Sequence, residues 1–359
     1  MITHLKYLLF FLFYCTSLQS KNYSYHDLIK ECRSEQIEAI KEASSFLGLD
    51  EKTQFKSLEG GLTQARVYSF EIEEKKLILR FLALTPNHTK EMRKNEIQAL
   101  KIGCNLGIAP NCIFSDQNPV LMVMPFVEGH PLHKPEDHQL KKLGKMIRSL
   151  HSYSDSYPTR YTFKQRLEIH YQKGIKLGIA YPKGFNKEIL AVLSAPSTRS
   201  PVPCHGDLNP SNILVDDSLK NISLIDWTTA TLDDPFADLS FFCLLSNLSP
   251  EQEKIFLESY FGRTSSEKEH ETLKEEKAKI CLLTATLWFR FSETEEEKAL
   301  PLASRISALD TELSSPTLKS IDYYLKDGVV VDLNTAPKSA IKSYALSFYK
   351  AYLKGKEKG

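Results

Sequence analysis

The sequence has no apolar run long enough to read as a membrane span. Tyr7 to Leu18 stops at twelve residues, against the roughly 20 that a bilayer core requires. It also lacks an excess of either charge. Lys and Arg number 46 against 45 Asp and Glu, a formal net charge of +1, whereas an extended nucleic-acid footprint would need a basic surplus. Paired cysteines are missing too. The seven, Cys15, Cys32, Cys104, Cys112, Cys204, Cys243 and Cys281, are scattered with no CxxC spacing, which argues against a disulfide framework and fits a reducing compartment. What is present, 42% hydrophobic and 25% charged residues over 359 positions, is ordinary for a soluble globular protein with length for two lobes.

The first twenty residues stand apart. His4 and Lys6 precede the apolar run and Ser20 follows it. A run of that length suits a secretory h-region better than a span, yet Leu18 occupies the position where a cleavage site wants a small residue. Residues 1–20 are set aside as a signal, an anchor or a mis-set start, and membrane contact is expected through them alone.

The densest chemistry lies between Pro203 and Leu239. Two apolar stretches, Ile213 to Val215 and Ile222 to Ile225, flank a polar patch from Asp216 to Asn221 and read as a β-hairpin. His205, Asp207 and Asn212 precede the first strand, and Asp226 follows the second. A hairpin brings Asp207, Asn212 and Asp226 to one end. Phosphoryl transfer needs such a set: a base for the proton of an attacking hydroxyl, and oxygen ligands for the Mg²⁺ that accompanies a nucleotide triphosphate. Asp207 is the expected base, with Asn212 and Asp226 the expected metal ligands, and ATP and Mg²⁺ the expected cofactors.

Upstream, Tyr25 to Leu47 shows helical spacing with Ile37, Ile40, Phe46 and Leu47 as expected buried positions. Phe55–Leu58, Val67–Ile72 and Leu77–Leu82 read as strands, and so do Ile108–Phe114 and Val120–Met124. Gly60 and Gly61, between the first two strands, would let backbone amides approach phosphates; a plain hairpin pair of glycines is the alternative. Arg80 interrupts the apolar strand LILRFL, a costly position unless the charge is paired. The following helix, Thr89 to Leu106, offers Glu91 and Glu96. Most of the remaining chain is helical, including the long stretch from Glu267 to Phe291. There Trp288, Phe289, Phe291 and Glu293 would suit a cationic alcohol, or pack as core.

The order HGDLNPSN, then LIDW, then DPFADL resembles the aminoglycoside phosphotransferase and choline kinase superfamily, and the resemblance runs from Leu58 to about Leu245. It implies an α+β, bilobal, protein-kinase-like fold. An N-lobe over 21–126 would hold an antiparallel five-stranded sheet and a helix, and a mostly helical C-lobe over 127–359 would carry the catalytic hairpin. In the family's pattern Gly60, Gly61 and Thr63 would cover the nucleotide phosphates, with Gln64 departing from the common GG-x-T-N. Arg80 would take the place of the phosphate-pairing cation and Glu96 the acid that orients it. His205 would belong to the catalytic loop, bracing it rather than moving a proton. Asp238 would anchor that loop, and Asp234 would face the substrate, with helix capping its alternative role.

The implied reaction moves the γ-phosphate of ATP to a hydroxyl of a small molecule of the choline, ethanolamine or thiamine kind, held by Asp234, Trp288 and Glu293. An aminoglycoside kinase and a catalytically silent kinase-like binding module are the rivals. A protein kinase fits less well, because no DFG or APE segment is present. Thr228 departs from the IDWE often seen on the choline side, which removes a carboxylate. A kinase uses ATP, so the compartment implied is the cytoplasm. The partners implied are a small alcohol and no nucleic acid.

Overall fold

The computed structural model describes residues 21–58, 65–85, 88–216, 221–326, 331 and 335–357. Residues 1–20, and with them Cys15, lie outside that set, as do Gly60, Gly61, Thr63 and Gln64. In chain order the elements begin with β1 Asn22–Ser24, α1 Tyr25–Lys30, α2 Ser34–Leu47, β2 Gln54–Leu58, β3 Arg66–Ile72 and β4 Lys75–Phe81. They continue with α3 Lys90–Asn105, β5 Phe114–Ser115, β6 Leu121–Pro125, β7 His130–Pro131, α4 Asp137–His151, α5 Phe163–Lys176 and α6 Phe185–Ser194. Then come β8 Val202–Cys204, β9 Ile213–Val215, β10 Ile222–Leu224, β11 Thr231–Asp233, α7 Pro235–Leu245 and α8 Pro250–Phe261. The C-terminal helices are α9 Glu267–Phe289, α10 Glu295–Lys298, α11 Leu302–Ser314, α12 Ile321–Lys326 and α13 Lys338–Glu357.

The described chain divides into two compact units. One comprises 21–160 and 207–232, the other 161–206 and 233–357. This division differs from a boundary after residue 126, because the β9–β10 hairpin goes with the sheet. Leu224 donates its amide to the Ile108 carbonyl at 2.8 Å, and β9 pairs with β7.

The sheet unit holds six antiparallel strands in the order β1-β2-β3-β4-β6-β5, one more than the sequence suggested. The extra strand is β1, three residues that pair Tyr23 with Phe55. Alternation along the strands separates two faces. Phe55, Tyr68, Phe70, Leu77, Leu79, Phe81, Leu121 and Val123 point one way, into a core shared with Leu28, Ala39, Ile40 and Ala43 of the two N-terminal helices. The opposite face carries Leu58, Val67, Ile78, Arg80, Met122 and Met124. Register aligns Leu58 with Val67, Val67 with Arg80, and Arg80 with Met122.

Local departures from the sequence expectation have identifiable causes. The N-terminal helical stretch breaks after Lys30. Arg66, from β3, donates to the Glu31 carbonyl at 3.1 Å, a partner that a continuous helix would supply itself, and also to Gln36 Oε1 at 2.9 Å. Phe46 is 63% exposed and not buried as expected, its ring lying 5.4 Å from Phe114. The strand expected over 108–114 shortens to Phe114–Ser115, since Pro110 cannot donate to a ladder. Gly129 has φ 148°, and a Cβ there would stand 2.3 Å from the Val215 carbonyl oxygen, so only glycine allows the chain to pass this close to β9.

The second unit is mostly helical. Phe185, Ile189, Phe241, Trp288, Phe289, Ile341, Tyr344 and Phe348 belong to one buried cluster. Helix α9 is continuous for 23 residues, and no helix among the described residues is long and apolar enough to cross a membrane. No disulfide joins the described cysteines.

Candidate active site

Asp207, Asn212 and Asp226 all belong to the sheet unit. Asn209 caps the short 3₁₀ turn Pro210–Asn212 by accepting the Ser211 amide at 2.9 Å. That turn delivers Asn212, which is fully buried. Its Nδ2 donates to the Asp207 carbonyl at 2.9 Å and to Asp207 Oδ2 at 3.1 Å, fixing the carboxylate. The Asn212 carbonyl accepts the Ile225 amide at 2.9 Å, so the hairpin ties this residue to the one before Asp226. Between Pro203 and Val215, Asp207 is the one residue that is not buried.

Asp226 stands at φ 59°, in the left-handed region that a non-glycine residue rarely adopts. Several groups hold it there. Arg80 Nη2 lies 3.0 Å from Asp226 Oδ1, 3.0 Å from Glu96 Oε1 and 3.0 Å from Thr228 Oγ1. The Thr228 hydroxyl donates to Asp226 Oδ1, and Arg160 donates to the Thr228 carbonyl. The strand cation thus meets both carboxylates, with side chains of Arg80 and Glu96 only 11% and 5% exposed. Burial works against the Arg80 charge, but Glu96 and Asp226 outweigh it and raise its pKa. Burial pushes the Glu96 carboxyl up, opposed by the adjacent guanidinium.

Arg80, Glu96 and Asp226 line a cleft, open to solvent, within the sheet unit. Its apolar wall comes from Val67, Ile78, Met122 and Met124 on the sheet, with Leu100 of α3 and Leu214 of β9. Its polar groups are Arg80, Glu96, Asn212 and Asp226. An apolar cleft with a few convergent polar groups suits a flat heterocycle joined to a charged tail. Asn212 Oδ1 is buried with no hydrogen-bond partner among the described residues, an idle oxygen acceptor in the same cleft as the Asp226 carboxylate. Two oxygen donors of this kind fit a hard cation such as Mg²⁺.

The other unit carries the remaining sequence-selected residues. His205 is fully buried. Asp238 accepts its amide at 2.7 Å and the Gly206 amide at 2.8 Å, so the carboxylate holds the backbone ahead of Asp207. Asp234 caps α7 through the Phe236 amide at 2.9 Å and receives both bonds from Arg199 Nε, at 2.8 and 2.7 Å. Trp288 is buried to 2% with its ring 4.6 Å from Tyr344, as in the core reading of the sequence. Glu293 pairs with Arg305 at 2.9 Å and accepts the Ala180 amide at 3.2 Å.

The sequence reading overlooked Gly103, Arg160 and the bridging hydroxyl of Thr228. A glycine inside α3 costs helix stability, and that cost was a legible signal of a close neighbour. The neighbour is Trp227, whose ring carbon would lie 2.5 Å from a Cβ on Gly103.

A family model described as "Phosphotransferase enzyme family" matches residues 54–273. Among curated proteins, "Protein LicA homolog" of Mycoplasma capricolum is 29% identical over 155 residues, 42% of this chain and 61% of that protein. The chain covers between 30% and 61% of the length of the first three curated relatives it matches. Among solved structures, a choline/ethanolamine kinase family protein from Mesorhizobium loti superposes with TM-score 0.55 at 18% identity, covering 86% of this chain and 99% of that one. A spectinomycin phosphotransferase, solved with ADP and spectinomycin, gives TM-score 0.55 at 16% identity, covering 89% and 99%. The fold is the kinase-like α+β fold of these proteins.

Proposed function

This chain belongs to the phosphotransferase enzyme family, and from that premise we propose that it transfers the γ-phosphate of ATP to a hydroxyl group of a small molecule. The observation that carries the reading is the Arg80–Asp226 contact at 3.0 Å in the cleft that also holds the idle Asn212 oxygen. Asp207, its carboxylate oriented by Asn212 Nδ2, accepts the proton of the attacking hydroxyl. Arg80, fixed by Glu96, faces the phosphates. Asn212 and Asp226 would hold Mg²⁺, which when bound would neutralise charge on the transferring group. The apolar wall of Val67, Ile78 and the two methionines receives the base. Gly60, Gly61 and Thr63 are assigned to the phosphates on the pattern of the sequence alone.

For the acceptor, we favour a choline, ethanolamine or thiamine-like alcohol. The names of the LicA relatives and of the choline/ethanolamine kinase neighbour support that class. Asp234 remains the acid assigned to it; Trp288, packed in the core, and Glu293, taken by Arg305 and the Ala180 amide, are not assigned to the acceptor. An aminoglycoside-type acceptor is the second reading, supported by the spectinomycin phosphotransferase likeness. We place the reaction in the cytosol, where ATP is. The test is Mg²⁺-dependent ATP turnover by residues 21–359 over a panel of small alcohols. Turnover with one class identifies the acceptor. Tight nucleotide binding with no turnover on any of them would favour a silent binding module.

A further inference from the structure

Helix α5 carries Arg166, His170 and Lys173 at spacings of four and three residues, which places them on one face. Arg290, the C-cap of α9, reaches that face: its Nη1 donates to His170 Nδ1 at 2.7 Å. Accepting at Nδ1 leaves His170 neutral, with its proton on Nε2. Among the described residues, Arg166 makes one hydrogen bond, from Nη1 to the Gly206 carbonyl at 2.6 Å. Its Nε and Nη2, the Arg290 Nε and the Tyr181 hydroxyl are all buried with no partner among the described residues. The carboxylates in the neighbourhood are committed elsewhere. Glu293 serves Arg305 and the Ala180 amide, and Asp233 accepts the amides of Phe163 and Asp234.

Such an arrangement is unfavourable in isolation. Idle, buried guanidinium N–H groups lose hydration, and the Asp233 charge that acts on Arg166 is already shared with two backbone amides. Burial, then Arg290, Arg166 and Lys173, push the His170 pKa down to about 3. Burial, then Arg290, also lowers that of Lys173. A guanidinium fork matches the oxygens of a carboxylate or phosphate. We infer that this face of α5, with Arg290, binds an oxyanion carried by a small molecule that the enzyme handles. The carbonyl held by Arg166 is that of Gly206, the residue before Asp207 in the chain. The link to the reaction rests on the proposed phosphotransfer; the binding itself does not. A quaternary alcohol brings no anion here. The anion is therefore either a carboxylate on the acceptor or the phosphate of the phosphorylated product.

The test begins with binding. The full chain, saturated with ADP so that the nucleotide cleft is filled, is titrated calorimetrically with inorganic phosphate and with acetate at low chloride. Wild type is expected to bind phosphate, and Lys173→Gln and Arg290→Gln to weaken it at least tenfold while ADP affinity is unchanged. Lys173 is only half-buried, so its variant reports even where loss of Arg290 disturbs packing. Absence of phosphate binding, or equal affinity in wild type and both variants, overturns the inference. Turnover then separates the sources. An acceptor carboxylate predicts that hydroxy acids are phosphorylated and that their KM rises at least tenfold in Lys173→Gln with kcat held. A product phosphate predicts that the product-inhibition constant rises while the acceptor KM stays. Failure of all turnover would count against the phosphotransfer reading and leave the binding result standing.

Discussion

Trp227 lies against Gly103 so closely that a Cβ on the glycine would come within 2.5 Å of the indole. The indole Nε1 donates to the Leu224 carbonyl at 3.2 Å, so the ring is held by the hairpin as well as by α3. Asp226 is its immediate neighbour, and α3 also carries Glu96. One contact therefore sets the strained backbone of Asp226 against the helix that supplies its companion acid. Gly103→Ala should cost about 1–3 kcal/mol through overpacking of a filled site. It should also raise the Mg²⁺ concentration needed for half-maximal turnover, because Asp226 moves with the ring. Denaturant unfolding and a Mg²⁺ titration check the two effects; a variant with wild-type values in both would remove Trp227 from the positioning role.

Asp207→Ala and Asp226→Ala should each remove nearly all activity, by at least 10²-fold for loss of a general base. They should differ in one respect: only Asp226→Ala strongly alters Mg²⁺ dependence. Near-normal turnover by the Asp207 variant would show that it is not the base.

Arg80 is the counter-charge to two carboxylates, the buried Glu96 and the partly buried Asp226. Arg80→Met should destabilise the fold by about 3–5 kcal/mol, the range for removing one partner of a buried ion pair. Arg80→Lys should recover only part of this, since a compact ammonium cannot span Glu96, Asp226 and Thr228 as a planar fork does. Urea unfolding at neutral pH measures both. A Lys variant as stable as wild type would mean that charge alone, without the fork, is sufficient.

His170 gives a pH dependence with a definite sign. Its folded pKa, about 3, lies below the ordinary histidine value of 6.5, chiefly through burial. The unfolded chain takes up the proton first as pH falls, so the contribution to stability is present above pH 6.5 and is lost progressively towards pH 3. The loss between pH 7 and pH 5 should be about 2 kcal/mol from this residue. His170→Gln should flatten that part of the profile. An unchanged slope in the variant would assign the acid limb to other groups.

The helical pattern, the strand pattern and the spacing of Asp207, Asn212 and Asp226 were readable because each depends on neighbours a few residues away. A short hairpin brings its two ends together whatever surrounds it, and an arginine inside LILRFL announces a buried partner. Phe46 was misjudged for the converse reason. Helical periodicity marks a face, but whether a core covers that face depends on which strand or helix is brought against it.

The chain's own order of residues determined that Asp207, Asn212 and Asp226 would flank the two strands of one short hairpin, and that an apolar strand would carry Arg80. Tertiary structure alone decided that Thr228 joins Asp226 to Arg80, that Glu31 is capped by Arg66, and that Arg290 meets the basic face of α5. The Arg66–Glu31, Arg290–His170 and Arg80–Thr228 contacts join positions separated by 35, 120 and 148 residues. No local propensity encodes which distant donor reaches an idle acceptor. That choice is made only when packing removes water and leaves each buried polar group to find a partner within reach.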